Sequence, residues 1–413
     1  MRKSFKKAVS LAVAAMMTLT MAACGSPSTS NDPTQNAGTT AAGATENSGT
    51  TAAGGTEKST FKIGIIGPLT GDAAIYGENV VNAAQIAVDE INAAGGVNGF
   101  MLEINAQDDE HDAEKSVNAY NSVKDWGAQM ILGSVTSVPC IAVTEKTKAD
   151  NMFQLTPSGS AVECAKYANN FRVCFSDPDQ GAASARYIGE NNLGTKVAVI
   201  YDSSTVYSTG IYESFVQGAA NQKFEIVAAE AFTADNATDF SVQLQKAKDS
   251  GADLVFLPIY YQAASLILAQ ANSMGYAPVF FGVDGMDGIL SVENFDKSLA
   301  EGVMLLTPFA ADAKDDLTVK FVTTYQQRHN NAIPNQFAAD AYDGVYALKA
   351  ALEKAGATPD MSVSDLCEAL KKAMLEISID GLTGAGITWN EAGEPNKEPK
   401  AVKIVDGVYV SMD

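Results

Sequence analysis

The chain has 413 residues, in which 49 Asp and Glu stand against 28 Lys and Arg, giving a formal net charge of −21. A phosphate backbone would repel such an acidic chain, which excludes a basic nucleic-acid-binding protein. Five cysteines over this length exclude a disulfide-stapled mini-domain, and two histidines leave little material for a histidine-based metal site or general base. The length and the 46% of hydrophobic residues predict two or three lobes, each with its own core.

Residues 1–23 have the features of a secretion signal. Four basic residues precede an apolar run from Ala8 to Ala23, which is shorter than the roughly 20 residues needed to span a bilayer. The run ends at Met21-Ala22-Ala23-Cys24-Gly25, which resembles a bacterial lipobox and implies a lipid-modified Cys24. An ordinary secretion signal with an incidental cysteine is the alternative.

Residues 24–60 are predicted to be a disordered tether. From Gly25 to Thr60 there is no Val, Ile, Leu, Met or aromatic residue, so the segment cannot bury enough surface to offset its ordering entropy. The predicted arrangement is a folded body on a flexible leader at a membrane surface, held there by the lipid alone.

From Phe61 onward, short apolar runs alternate with stretches of helical spacing, which predicts parallel strands joined by helices. Gly67-Pro68 ends the first strand, and Gly95-Gly96 ends the first helix. The predicted strands of the first half are 61–66, 102–107, 130–133 and 152–155, and its helices are 78–94, 113–126 and 141–150.

The same alternation restarts after Asp179-Gln180-Gly181, and three long helices and a strand-like tail follow it. The predicted helices are 182–192, 209–222, 239–250, 263–274, 317–329, 335–355 and 364–375. The predicted strands are 197–201, 224–229, 254–258, 279–281, 303–306, 386–389, 402–405 and 408–410.

Ligands of open α/β sheets bind beyond the carboxyl ends of the strands. In the first half these ends carry glycines and small hydroxyls just before helix starts, where free N–H groups and the helix dipole favour a carboxylate. In the second half they carry tyrosines and the acid Asp284, which a ligand ammonium would pair. Together these features predict a free α-amino acid with tyrosine rings over its apolar body.

Several motifs in this order resemble the leucine/isoleucine/valine-binding proteins of bacterial amino-acid uptake. They are Ile63-Gly64-Ile65-Ile66-Gly67-Pro68-Leu69-Thr70-Gly71, Tyr76-Gly77, Asp89-Glu90-Ile91-Asn92, Gly95-Gly96-Val97-Asn98-Gly99 and Asp239-Phe240-Ser241. The resemblance covers residues 61–413. It implies an α/β, two-lobed type I periplasmic-binding-protein fold, in which each lobe is a parallel sheet flanked by helices and three hinge crossovers join the lobes.

The resemblance also implies the boundaries and the mechanism. The first lobe combines residues 61–179 with 309–389, and the second combines 182–306 with 392–413. Hinge closure buries the ligand, and the loaded form docks on the membrane permease of an ABC importer. A monomer at the cell membrane, outside the cytoplasm and with no cofactor, is expected.

Eight residues match the family's ligand contacts, with Tyr261 as an alternative to the second-lobe Tyr260. They are Tyr76, Val135, Ser137, Ser158, Ser160, Tyr207, Tyr260 and Asp284. Asp284 and the serines also fit helix caps with no ligand role.

Other candidate sites are weaker. The acidic run Asp108–Asp112 around His111 is more typical of a solvated loop than of a metal site, and no hydrolase motif supplies a nucleophile. A binding protein rather than an enzyme is therefore predicted. One alternative is a receptor for a short amide, urea or another small metabolite. The other is a sensory ligand-binding module. Cys164 and Cys174 flank the short segment 165–173 and are a candidate disulfide. The alternative is that Cys140, Cys164, Cys174 and Cys367 are all free thiols.

Overall fold

The computed structural model describes residues 59–412, which lie within one compact unit. The predicted signal peptide, Cys24 and nearly all of the predicted tether lie outside the described residues. Within residues 59–412, no helix combines the length and the apolar character that a membrane span requires.

Fourteen strands are described. They are β1 Phe61–Gly67, β2 Leu102–Asp108, β3 Met130–Gly133, β4 Phe153–Thr156, β5 Asn170–Arg172, β6 Lys196–Asp202, β7 Glu225–Phe232, β8 Leu254–Leu257, β9 Val279–Gly282, β10 Met304–Thr307, β11 Ile379–Gly381, β12 Gly384–Ile387, β13 Lys400–Val405 and β14 Val408–Ser411.

Ten α-helices of the described part of the chain connect these strands. They are α1 Ala74–Ala93, α2 Ala113–Trp126, α3 Ser137–Asp150, α4 Asp177–Glu190, α5 Val206–Ala219, α6 Ser241–Asp249, α7 Tyr261–Ser273, α8 Asp316–Arg328, α9 Gln336–Ala355 and α10 Val363–Met374.

Two separate sheets confirm the predicted α/β architecture. The first has the order β2-β1-β3-β4-β5 and is parallel throughout, with Ile63 of β1 opposite Ile104 of β2 and Met130 of β3. The second has the order β14-β13-β10-β9-β8-β6-β7, in which β13 alone runs against the other strands and pairs antiparallel with both β10 and β14. The central strands of both sheets are fully buried, because helices cover both faces.

The late helices pack on the first sheet's side, although they follow the second sheet in sequence. The hydroxyl of Tyr325 in α8 donates to Asn79 of α1 at 2.8 Å, and the hydroxyl of Tyr342 in α9 donates to Glu90 of α1 at 2.5 Å. The chain therefore passes between the two sheets three times, after β5, after β10 and after β12, as the fold class predicted.

Several element boundaries differ from the sequence prediction. Helix α1 begins at Ala74 rather than at residue 78, and α4 begins at Asp177 rather than at residue 182. The second shift has a clear cause, since Ser176 and Asp179 form a capping box and Pro178 lies in the first turn, which allow the helix to start there. Strand β5 was not predicted, because its three residues, Asn170 to Arg172, include two polar side chains.

Gly181 sets the close approach of α4 to α5. A Cβ at this position would lie 2.3 Å from the carbonyl oxygen of Ile211 and 2.7 Å from the amide nitrogen of Phe215, both on the α5 backbone. Gly181→Ala is therefore expected to lower the free energy of unfolding by about 2 kcal/mol, measured by chemical denaturation. Gly189→Ala in the same helix is the control, since its Cβ meets only the movable side chain of Gln222 and alanine favours the helix. Equal stability of the two variants would contradict this account.

Candidate functional site

The carboxyl ends of strands from both sheets meet at one small cavity of about 10 Å³. This is the position at which open α/β sheets bind their ligands. The cavity is lined by Tyr76, Val135, Thr136, Ser158, Ser160, Tyr207, Tyr260, Asp284, Gly285 and Phe337. Seven of the eight predicted site residues are among them.

Ser137 is the predicted residue that does not line the cavity. It begins α3, and its hydroxyl accepts a hydrogen bond from the amide of Ala161 at 3.2 Å. The preceding Thr136 takes the place in the wall, and its hydroxyl lies 2.7 Å from the Nδ1 atom of His111. The structure therefore places Thr136, and not Ser137, in the wall of this cavity.

Asp284 is almost fully buried, with 3% of its surface exposed. Its Oδ1 atom accepts hydrogen bonds from the Tyr207 hydroxyl at 2.5 Å and from the Gly285 amide at 2.6 Å. Its own amide donates to the side-chain oxygen of Gln180 at 3.2 Å. The carboxylate is therefore held by neutral donors and lacks a cationic partner among the described residues.

Burial raises the pKa of Asp284 to about 6, against the hydrogen bonds from Tyr207, Gly285 and Gln180, which lower it. At neutral pH the group is therefore mostly ionised. Among residues 59–412, no Lys or Arg lines the cavity. A bound group that carries positive charge would supply the missing partner.

Aromatic rings form part of the cavity wall. Tyr76 of α1 contacts Tyr260 edge-to-face, with ring centroids 5.4 Å apart, and packs on Phe337 of α9 at 4.3 Å. Tyr207 and Tyr260 pack at 4.6 Å. The hydroxyl of Tyr76 donates to the carbonyl oxygen of Gly285, which joins an element beside the first sheet to a loop of the second. The rings present apolar faces to the cavity.

The serine loop after β4 is held by a buried arginine that sequence reasoning missed. Arg172 is fully buried and donates to the carbonyl oxygens of Ser160 at 2.5 Å and Ala161 at 2.9 Å. Its Nε atom also pairs with Glu394 at 3.0 Å. A bidentate donor on consecutive carbonyls fixes the loop backbone, so Arg172 positions Ser158 and Ser160 without lining the cavity.

Phe337 and Gly285 were also missed. Phe337 lies in the first turn of α9, which follows another helix rather than a strand, so it does not belong to a strand end. The sequence does indicate Gly285 as a site residue, because it directly follows Asp284 and glycine allows a close approach of the backbone.

The proposed Cys164–Cys174 disulfide is wrong. Cys140, Cys164, Cys174 and Cys367 are free and buried thiols. The thiol of Cys164 packs against Cys140 instead. The extended strand β5 lies between the two predicted partners and carries the chain away from Cys164.

The acidic loop around His111 does not form a metal centre. Among residues 59–412 no group of three or more His, Cys, Asp or Glu side chains has a metal-binding arrangement. The carboxylate of Asp108 instead accepts hydrogen bonds from the amide of Leu69 and the hydroxyl of Thr70, at 2.8 and 2.6 Å.

Comparison with known proteins assigns the fold and the family. The family model described as periplasmic binding protein matches residues 60–407. The chain belongs to the periplasmic binding protein family. Membership of this family places the protein outside the cytoplasm and gives it a role in substrate binding for transport.

Two similar proteins are named for the amino acids that they bind. The chain is 30% identical over 301 residues to the Leu/Ile/Val-binding protein BraC3 of Rhizobium johnstonii, a match that covers 72% of this chain and 80% of that protein. It is 27% identical over 312 residues to the leucine-, isoleucine-, valine-, threonine- and alanine-binding protein of Pseudomonas aeruginosa, with 75% and 82% covered.

Solved structures show the same two-lobed fold. The branched-chain amino acid transporter substrate-binding protein LivJ of Streptococcus pneumoniae, in complex with isoleucine, has a TM-score of 0.77 and 27% sequence identity. That match covers 86% of this chain and 98% of LivJ. A leucine-binding protein LivK of Thermotoga maritima has a TM-score of 0.75 with 24% identity and supports the fold alone.

Proposed function

We propose that this periplasmic binding protein is the substrate-binding component of an ABC importer and binds a free amino acid that is branched-chain or otherwise apolar. The carrying observation is the buried Asp284 carboxylate, which faces an interlobe cavity and lacks a cationic partner among the described residues. An α-ammonium supplies that partner.

The rest of the cavity fits the other two parts of the ligand. The start of α3 beside Thr136 and the Ser160 hydroxyl, which has no hydrogen-bond partner among the described residues, offer donors to the α-carboxylate. The Ser158 hydroxyl already donates to the carbonyl oxygen of Val135 at 2.6 Å. The rings of Tyr76, Tyr260 and Phe337 cover an apolar side chain. The leucine, isoleucine and valine binders among its relatives support the same ligand class.

Closure of two lobes around the ligand is the proposed mechanism. The lobes are 61–179 with 309–389 and 182–306 with 392–413. The hydrogen bond from Tyr76 to Gly285 joins them across the cavity, so it forms as the lobes approach. The closed form is the one that docks on a membrane permease, and the protein binds and releases its ligand without reacting with it.

The proposal includes export and anchoring of a monomer. Residues 1–23 act as a signal peptide, Cys24 carries the lipid, and residues 24–60 link it to the folded body. Labelling of the full chain with a lipid precursor, compared with a Cys24→Ser variant, tests the anchor, because only the cysteine form should carry label and sediment with membranes.

Thermal unfolding with each free amino acid tests the ligand class. Leucine, isoleucine or valine at 100 times its Kd should raise the free energy of unfolding by about 2.7 kcal/mol, because the ligand binds only the folded state. The matched control is the 2-hydroxy acid with the same side chain, which lacks the ammonium and should give a much smaller rise in the midpoint. A midpoint raised by urea or a short amide and unchanged by every amino acid would refute the proposal.

A further inference from the structure

A second cavity, of about 350 Å³, lies between the two proposed lobes. Leu290 and Val408 line it from the second lobe, and Val322 and Ile333 line it from the first. Protein cavities that hold small ligands start at roughly 300 Å³. Within residues 59–412 this second cavity shares no lining residue with the amino-acid site, so the proposed function does not account for it.

Three polar side chains that line the second cavity keep an atom without a hydrogen-bond partner. The Oδ1 atom of Asp287 and the Nδ2 atom of Asn335 find none within residues 59–412, although only 3% and 6% of these residues' surfaces are exposed. The buried Oδ1 atom of Asp312 is in the same position. Buried polar atoms normally have a partner in the protein or in bound solvent. Three of them in one wall therefore require a partner that the described chain does not provide.

Helix capping explains only one polar atom of Asp287 and one of Asn335. The Oδ2 atom of Asp287 accepts a hydrogen bond from the amide of Gln336, the first residue of α9, at 2.8 Å. The Oδ1 atom of Asn335 accepts from the amide of Ala338 at 3.2 Å. The Tyr409 hydroxyl lies beside the carboxyl of Asp287 without a well-aligned hydrogen bond to Oδ1. The caps therefore leave one acceptor of Asp287 and one donor of Asn335 available.

The charges around the second cavity favour a cation. Asp287 and Asp312 contribute two carboxyl groups, and the one basic residue of the described lining, Lys297, is exposed. Burial raises the pKa of Asp287 to about 7 although hydrogen bonds oppose the rise, and the charge of Asp284 adds to it. Asp287 is therefore mostly ionised at pH 8, where an aliphatic amine is still protonated. An ammonium beside Asp287 would stabilise its ionised form.

We propose that the second cavity is a binding site for a small organic amine that also carries a hydroxyl or carbonyl oxygen and an apolar body. The ammonium pairs with the carboxylates of Asp287 and Asp312. The side-chain amide of Asn335 donates to the oxygen of the ligand, and Leu290 and Ile333 cover its carbon chain. The site is separate from the one that binds the amino acid.

Gln336 connects the second cavity to the amino-acid site. Its amide donates to Asp287, and its side chain donates to the carbonyl oxygen of Asp284 at 2.8 Å. An amine held by residues of both lobes favours the closed form, which is also the form that holds the amino acid. Each ligand therefore tightens the binding of the other, because coupling between two sites is reciprocal. This coupling rests on the proposed lobe closure, whereas the amine site itself does not.

Calorimetric titration at pH 8 tests the amine site, with L-leucinol as the probe and L-leucine saturating the amino-acid site. L-leucinol carries an ammonium, a hydroxyl and an apolar body, and the bound leucine keeps it out of the first cavity. The wild type should bind one equivalent. The diol 4-methyl-1,2-pentanediol, in which a hydroxyl replaces the ammonium, should bind about tenfold more weakly or worse, because it lacks the charge.

Asp287→Asn and Asp312→Asn should each weaken leucinol binding by about tenfold or more. Asp312 is only half-buried, so Asp312→Asn decides if Asp287→Asn does not fold, and it should keep wild-type affinity for leucine when leucinol is absent. Asp316→Asn is the matched control, since Asp316 is exposed and lies outside the described lining of the cavity. It should bind leucinol as the wild type does.

Release of radiolabelled L-leucine into an excess of unlabelled leucine tests the coupling. L-leucinol should slow this release about threefold or more in the wild type and not in Asp312→Asn, because a ligand that holds both lobes slows their opening. An unchanged release rate in the wild type would overturn the coupling between the two sites.

Two titration results would overturn the amine site while leaving the proposed function intact. One is the absence of leucinol binding to the leucine-saturated protein, in which case water alone fills the second cavity. The other is equal leucinol affinity in the wild type and Asp312→Asn. If the wild type binds no amino acid, the proposed function is refuted, and leucinol titration of the ligand-free wild type and Asp312→Asn still decides the amine site.

Discussion

Asp284→Asn is expected to weaken amino-acid binding by about 3 kcal/mol, or more than 100-fold, because it removes the charge that a desolvated ammonium needs. Asparagine keeps the size of the side chain and can still accept the hydrogen bond from Tyr207. The loss therefore reports the charge rather than the packing. Isothermal titration with the amino acid that binds the wild type most tightly measures it.

The pH dependence of amino-acid affinity is a second test of the role of the Asp284 charge. Burial raises the pKa of Asp284 to about 6, so the wild type should bind with constant affinity above pH 7 and lose about tenfold per pH unit well below pH 6. The carboxyls of Asp177 and Asp340 also interact electrostatically with Asp284 and add their own pH dependence. The difference between the wild type and Asp284→Asn isolates the contribution of Asp284.

Stability should move in the opposite direction to affinity. The pKa of Asp284 is raised from 3.8 to about 6 in the folded protein, so the folded state binds more protons than the unfolded state between these values. The charge of Asp284 therefore destabilises the ligand-free protein as pH rises through this window. At pH 7 the empty Asp284→Asn variant should unfold at a higher temperature than the wild type.

The exposed Asp296 is the control for these measurements. Its carboxylate accepts only local hydrogen bonds from Ser298, so Asp296→Asn should leave affinity unchanged. Wild-type affinity in Asp284→Asn would contradict the proposed ammonium site, and a lower unfolding temperature of the empty variant would contradict the origin of the pKa shift.

Strand-end residues of the site could be predicted because parallel strands place their carboxyl ends on one edge. Tyr260 and Asp284 follow buried apolar runs that sequence periodicity identifies. Phe337 could not be predicted in this way, because its helix follows no strand in the sequence and only tertiary packing brings it to the cavity. Without the family resemblance, the late helices would also have been assigned to the wrong sheet.

Arg172 shows a second limit of sequence analysis. It stands between Phe171 and Val173, and its role depends on four consecutive carbonyl oxygens that only the folded loop brings to it. The same unpredicted strand, β5, explains why Cys164 and Cys174 do not meet. Short strands with mixed polarity carry too little periodicity to be recognised.

Substitution of Gly285 is expected to cause the second large loss of amino-acid affinity. Its carbonyl oxygen accepts the hydrogen bond of Tyr76 across the cavity, and its amide donates to the Tyr207 hydroxyl at 3.0 Å. A Cβ here would lie 2.4 Å from the Tyr207 hydroxyl oxygen and 2.8 Å from Cδ1 of Tyr260. Any side chain at residue 285 therefore competes with the rings that form the site.

Gly285→Ala is expected to weaken amino-acid binding about 100-fold, near the upper end of the effect of overpacking. Relief of the clash moves Tyr207 away from Asp284 or keeps the lobes apart, and either movement removes contacts that the bound state needs. Small-angle scattering separates the two. The wild type should contract when ligand is added, and a variant held open should not.

Gly384→Ala is the matched control, since its Cβ would meet only Ile387 at 3.4 Å, an ordinary contact, in the β11–β12 hairpin. It should bind and contract as the wild type does. Affinity within threefold of the wild type in Gly285→Ala would mean that the two tyrosines adapt without loss. The contact of Gly285 with Tyr76 and Tyr207 would then have no part in closure, and the closed lobes would depend on the charge of Asp284 and on the bound ligand alone.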